Sequence, residues 1–226
     1  MKKYIITGSE GLLGSVIADY YEKKRVQVVR VDKKLGHDLT KAKQVQALIS
    51  TNPDANGLVV CHATNPQPSD NAYTPFNLPL KSFDAYLSLN LISVYSLVRE
   101  FAAICPHNSS VVLFGSTYGM VSPRPTLYEA GFLKHPGYTI SKAGIIGMTK
   151  WLAVHLAPNP RINCIAPGGV YNNQDEEFVK RYSTLTPLGR MMKKEEITGP
   201  VDFLLSDNSS YMTGSILVYD GGFTSV

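Results

Sequence analysis

Cysteine, tryptophan and charge are all scarce in this chain of 226 residues, and each shortage removes a class of protein. The three cysteines, Cys61, Cys105 and Cys164, are odd in number and lack the paired spacing of a metal module. That excludes a disulfide framework or a zinc finger and leaves reduced, mostly buried thiols. Aspartates and histidines are scattered without ligand spacing, so no metal is expected. Charged residues make up 18% of the chain and leave a net charge of only +4, without clustering. No nucleic-acid partner is expected from that balance, whereas an anionic small molecule suits it. No apolar run approaches a membrane span, and the stretch after Met1-Lys2-Lys3 is too short for a signal peptide, so a cytoplasmic protein without a membrane partner is expected. Linkers, repeats and low-complexity tracts are missing as well, and residues 1–226 read as a single domain.

Apolar residues make up 44% of the chain, enough for one sizeable α/β core. Strand-like runs at Tyr4–Ile6, Gln27–Asp32, Gly57–Ala63, Val111–Ser116, Arg161–Ala166 and Ile216–Gly222 are separated by helix-patterned segments. The first run leads into Thr7-Gly8-Ser9-Glu10-Gly11-Leu12-Leu13-Gly14 and a helix to about Lys24. Glycines there let the backbone approach a pyrophosphate, which the N–H groups at the helix start hold; Gly8, Ser9, Gly11, Leu12, Leu13 and Gly14 are the candidate cradle. Asp32 ends the second strand 18 residues after Gly14. A carboxylate there accepts from both ribose hydroxyls and repels a 2′-phosphate, which favours NAD over NADP; Lys33 and Lys34 keep NADP open, and a loop-capping role for Asp32 is the alternative. Tyr138 and Lys142 lie four apart at the start of a helical run ending near Pro158, so both face one side. A phenol of pKa about 10 works as a base near neutrality only if its anion is favoured by roughly 3 to 4 kcal/mol; Lys142 and a cationic nicotinamide are the candidate sources.

With Asn90 inside an apolar helical pattern and Ser116 closing a strand run, these features resemble the short-chain dehydrogenase/reductase family in its compact single-domain branch. The resemblance implies a doubly wound, Rossmann-type parallel sheet with helices on both faces. It also implies catalytic roles for Asn90, Ser116, Tyr138 and Lys142: Ser116 polarises the substrate oxygen, Tyr138 exchanges its proton, Lys142 lowers the tyrosine pKa, and Asn90 bends its helix and anchors a water. Asp38-Leu39-Thr40 resembles the element that edges the adenine, Ala63 lies in the strand-four element, and Pro167-Gly168-Gly169-Val170 resembles the segment holding the nicotinamide amide. Tyr138 and Lys142 are expected to touch the cofactor too. Three departures stand out. The glycines fall as T-G-x-x-G-x-x-G, Cys61-His62-Ala63-Thr64 replaces N-N-A-G, and Asn172 replaces a threonine. His62 is read as a satisfied structural histidine or as a substrate or proton-relay group. Between Asp32 and Asp38 there is no room for the usual helix and strand, so edge strand three is expected to be truncated or missing, with Lys41–Ser50 the next helix.

Ser82 is the expected N-cap of a helix to about Ile104. Ser116 and Tyr138 are 22 residues apart, more than the resemblance implies, so an insertion borders the substrate pocket. It contains Tyr118, Arg124, Tyr128, Glu129, Lys134 and His135, a set suited to a sugar or an anionic group; a decorative surface loop is the other reading. Asn65–Pro79 is expected to be a loop at the rim, Asn173–Met192 a lid, and Glu195–Leu205 a helix. Two stripes on the Tyr138 helix, one with Ile146, Ala153 and Ala157 and one with Ile145, Met148, Leu152 and His155, imply a homodimer or homotetramer, as the resemblance also does. The regions around Ser116, Tyr171–Tyr182 and Pro187–Met191 look like oxidoreductases of flagellin-glycan and nonulosonate pathways, which implies a sugar or sugar-nucleotide substrate held by Ser116, Tyr118, Arg124, Tyr138 and Tyr171. A small ketone or acyl-thioester reductase, and a non-catalytic NAD-binding regulator, are the alternatives.

Overall fold

The computed structural model describes residues 2–65, 74–129 and 131–225; the expectation for Asn65–Pro79 falls partly outside them. Six parallel strands form one sheet in the order β2-β1-β3-β4-β5-β6. They are β1 Lys3–Thr7, β2 Gln27–Val31, β3 Gly57–Val60, β4 Ser110–Phe114, β5 Arg161–Pro167 and β6 Ile216–Tyr219. The absent outer strand is replaced by a short turn, Lys33–Leu35, leading into helix α2, Ala42–Ser50. β2 is therefore the sheet edge.

Alternation along the strands separates two cores. Ile5, Leu58, Val60, Val111 and Leu113 meet α2, α4 (Ser93–Ile104) and α5 (Pro136–His155) on one face. Ile6, Val59, Val112 and Ile165 meet α1 (Leu12–Lys23) and α7 (Thr198–Leu205) on the other. That period of two is what a sheet covered on both faces requires. α3, Ser82–Leu87, runs through a π turn at Ser88–Ile92 into α4, and Asn90 sits in that turn.

Several boundaries depart from expectation for identifiable reasons. β3 stops at Val60 because its neighbour turns away at Gly8, where φ is +66°. Ser82 lies inside its helix and not at the N-cap; the preceding turn already winds helically, and the Ser82 hydroxyl donates to the Pro79 carbonyl. The last expected helix splits into a turn, Lys194–Ile197, and α7, whose Pro200 belongs in a first turn because it has no N–H to donate. Ile145, Leu152 and Ala153 of α5 are buried together, so the two expected stripes merge into one face. The opposite side exposes Ile140, Trp151 and Val154 instead. Only Cys164 of the three free thiols is buried. The run Ser82–Ile104, with mean hydropathy 1.3, is long and apolar enough to cross a membrane by length and composition, against expectation; in the fold Leu97, Val98 and Phe101 pack into the core.

Candidate active site

The strands end at a cleft of about 780 Å³ that runs from the glycine turn to Tyr138 and on to α6, Glu176–Thr184. Each strand end delivers one part. β1 ends in the glycine turn, where the Gly11 N–H donates to the Gly8 carbonyl at 2.9 Å. A Cβ on Gly14 would lie 2.0 Å from that same carbonyl oxygen, so α1 can start against the turn only with glycine there. Gly8, Gly11, Leu12, Leu13 and Gly14 line the cleft; Ser9 is buried beneath it.

β4 delivers Ser116, whose Oγ accepts from the Tyr118 N–H at 3.1 Å and which lines the cleft together with Tyr138. Burial raises the Tyr138 pKa, and the nearby Ser116 hydroxyl opposes this. Lys142 Nζ lies 5.8 Å from the centre of the Tyr138 ring and donates to the Phe114 carbonyl at 2.8 Å. Burial pushes its pKa down to about 8, with the Cys164 and Cys61 thiols acting the other way. The Lys142 ammonium is directed at a carbonyl, and desolvation is the largest influence on the phenol.

Asn90 is buried and does not line the cleft. Its Oδ1 accepts from the Thr64 N–H at 2.7 Å, and its Nδ2 donates to the Thr64 carbonyl at 2.9 Å and to Ser141 Oγ at 3.2 Å. Both amide hydrogens are spent on tying the segment after β3 to α5. Ser141 Oγ in turn donates to the Tyr138 carbonyl at 2.7 Å. His62 is wired to protein on both nitrogens, Nδ1 to Thr7 Oγ1 at 2.7 Å and Nε2 to Ser93 Oγ at 2.8 Å. Ser93 Oγ donates to the Leu89 carbonyl, so it accepts from Nε2–H and Thr7 donates to Nδ1. Burial, with help from the Lys142 charge, pushes the His62 pKa down to about 4. The structural reading of His62 fits this neutral, fully partnered ring.

Asp32 accepts from the Lys34 N–H at 2.9 Å and the Glu10 N–H at 3.2 Å, which fastens the glycine turn to the end of β2. Asp38 accepts from Thr40, and Leu39 is buried. None of the three lines the cleft, whereas Ala63, Pro167, Gly168 and Val170 do. Among the substrate candidates Tyr118 lines it; Arg124 lies 5.2 Å over the Phe223 ring, and Tyr171 is exposed, both outside the cleft. The inserted segment is not decorative. Its Leu127 is fully buried with Tyr182, Met191 and Phe223, and Tyr118 and Tyr128 join hydroxyls at 2.8 Å. His135, expected to grip substrate, instead caps α5: Nδ1 accepts from the Gly137 N–H at 3.0 Å and Nε2 meets Ser82 Oγ at 2.8 Å. Phe132, Phe178 and Tyr182 line the cleft without having been singled out. Phe178 and Tyr182, four apart in a polar segment, were the available sign.

Residues 15–224 match the family model described as enoyl-(acyl carrier protein) reductase. The chain belongs to the short-chain dehydrogenase/reductase family. A short-chain dehydrogenase of Leptospira borgpetersenii, solved with bound NAD+, is 30% identical with a TM-score of 0.86, over 99% of this chain and 92% of that one. The 3-oxoacyl-[acyl-carrier-protein] reductase of Thermotoga maritima is 37% identical over 63% of this chain and 57% of its own length. An uncharacterized short-chain type dehydrogenase/reductase of Sinorhizobium fredii is 28% identical over 98% of this chain. Post-translational flagellin modification protein A of Campylobacter coli is 33% identical over 61% of this chain and 55% of its own length. The matched region spans 43% of the Sinorhizobium protein and 57% of the Thermotoga one.

Proposed function

We propose that the protein is a nicotinamide-dinucleotide-dependent oxidoreductase that interconverts an alcohol and a carbonyl. One observation carries the reading: Ser116, Tyr138 and Lys142 line the cleft that begins at the glycine turn, with the Lys142 ammonium 5.8 Å from the centre of the Tyr138 ring. The donor set fits a dinucleotide. The turn brings backbone N–H groups of an α1 start to the cleft, and the glycine at 14 is what lets that helix start so close against the turn. A bound nicotinamide dinucleotide would supply or accept the hydride. Ser116 Oγ holds the substrate oxygen, Tyr138 Oη gives or takes its proton, and Asn90 acts through Thr64 and Ser141 as a positioning residue.

Asp32 supports NAD as the cofactor, and the Leptospira protein, solved with NAD+, is in keeping with it. A sugar or sugar-nucleotide substrate of a surface-glycan pathway is favoured by the aromatic wall of Tyr118, Tyr128, Phe132 and Phe178, because ring faces stack on pyranose C–H surfaces, and by the Campylobacter relative's name. The second reading, reduction of a 3-oxoacyl thioester, rests on the Thermotoga relative's name. The protein is proposed to act in the cytoplasm, as a single domain assembled into a dimer or tetramer through the exposed side of α4 and α5. The test is NADH and NADPH consumption across a panel of keto-sugar nucleotides and 3-oxoacyl thioesters. NADH-dependent turnover of a sugar nucleotide is expected. Turnover of the thioesters alone would overturn the substrate assignment, and no saturable binding of either dinucleotide would overturn the function.

A further inference from the structure

Lys134 and Arg181 line the cleft and Arg124 and Arg190 lie outside it, and the structure commits the three arginines. Arg190 forms a two-point ion pair with Glu196, with contacts of 2.7 Å at both nitrogens. Arg181 donates to the Leu127 carbonyl at 3.1 Å, and Arg124 stacks on Phe223 outside the cleft. Lys134 differs. The inserted segment brings its ammonium to the cleft wall, 5.3 Å from the centre of the Tyr138 ring. Among the described residues no carboxylate forms an ion pair with it. Glu129 lines the same cleft without pairing to it.

We infer that Lys134 binds the substrate by pairing with an acid group, carboxylate or phosphate, carried close to the carbon whose oxygen meets Ser116 and Tyr138. The inference rests on the oxidoreductase reading of that site. An ammonium has three N–H donors, and one taken from water without an acceptor is costly. A desolvated cation–π contact returns about 2 kcal/mol but supplies no hydrogen-bond acceptor. Burial pushes the Lys134 pKa down to about 8, so the group is still mostly charged at neutral pH and short of acceptors. An anion supplies them with charge-assisted hydrogen bonds. The placement also explains why the insertion is anchored by a core of its own around Leu127: that core holds Leu127 and Tyr128 in place a few residues ahead of the lysine.

The test follows the ring resonances of Tyr138 in protein labelled with 13C-tyrosine, titrated with sodium acetate or inorganic phosphate at constant ionic strength, with and without NADH. Wild type, Lys134→Arg and Lys134→Met are compared, with near-ultraviolet circular dichroism checking that each is folded. A saturable Tyr138 shift is expected with at least one anion, with half-saturation displaced tenfold or more in Lys134→Met and about threefold or less in Lys134→Arg. The stronger of the two anions identifies the acid group. No saturable shift with either anion, or equal half-saturation in wild type and Lys134→Met, overturns the inference. NADH fluorescence is titrated in parallel. Saturable NADH binding with a flat Tyr138 response removes the role of Lys134 alone, whereas absent NADH binding removes the oxidoreductase reading and the substrate role with it.

Discussion

His62 shows how a single substitution at a strand end becomes part of the frame. Its ring bridges β1 and α4 through Thr7 and Ser93 and is held neutral by burial. A histidine whose pKa is near 6.5 unfolded and about 4 folded binds more protons unfolded between those values. Stability is therefore complete above about pH 6.5 and falls as pH drops towards about 4, by up to about 3 kcal/mol. Burial lowers His135 as well, so it adds to the same slope. Urea melts across this range should show the decline, and His62→Phe should flatten part of it while costing about 2 kcal/mol at neutral pH through the two lost partners. An unchanged slope in His62→Phe would contradict the assignment. At this scale the sequence was legible where spacing alone places a group. Tyr138 and Lys142 share a helix face, and Ser116 closes a strand run. Lys134 and His135 are chain neighbours with opposite fates, one at the cleft wall and one capping α5, and only the path of the inserted segment separates them.

Elements were legible where β-branched runs or helical periods are uninterrupted, as in β4 and α4. They were misjudged where a neighbour decides. β3 ends early because β1 turns at Gly8, and Ser82 yields the N-cap position because the turn before it already winds. The missing outer strand was legible from length alone, since Asp32 and Asp38 leave no space for it. Asn90 belongs at this scale because its amide joins three elements: the π turn, the segment after β3 and α5. Asn90→Ala leaves the Thr64 N–H and carbonyl and the Ser141 hydroxyl without that partner. A loss of roughly 2 to 4 kcal/mol is expected from urea denaturation. A cost near that of an ordinary surface substitution, under about 0.5 kcal/mol, would show that the clamp is dispensable.

For the whole molecule, the exposed side of α4 and α5 carries the assembly prediction. Ile92, at the end of the π turn, and Tyr95, Trp151 and Val154 are exposed apolar side chains on this side, with Tyr95 and Trp151 rings 6.4 Å apart. Light scattering should give a multimer for wild type, and Trp151→Glu should lower the mass towards one chain of 24.8 kDa. An unchanged mass in the variant would place the interface elsewhere.

The cleft, the glycine turn, Ser116 after β4 and Tyr138 on α5 make one claim together, that the Tyr138 phenol passes the proton while the cofactor passes the hydride. A single-turnover experiment tests it most directly: NADH is saturated onto the protein, the best carbonyl substrate of the panel is added, and loss of NADH absorbance is followed in wild type and Tyr138→Phe. The account predicts saturable NADH binding in both proteins and a rate at saturating NADH lowered by about 10²- to 10⁴-fold in the variant. Equal rates in the two proteins would contradict it.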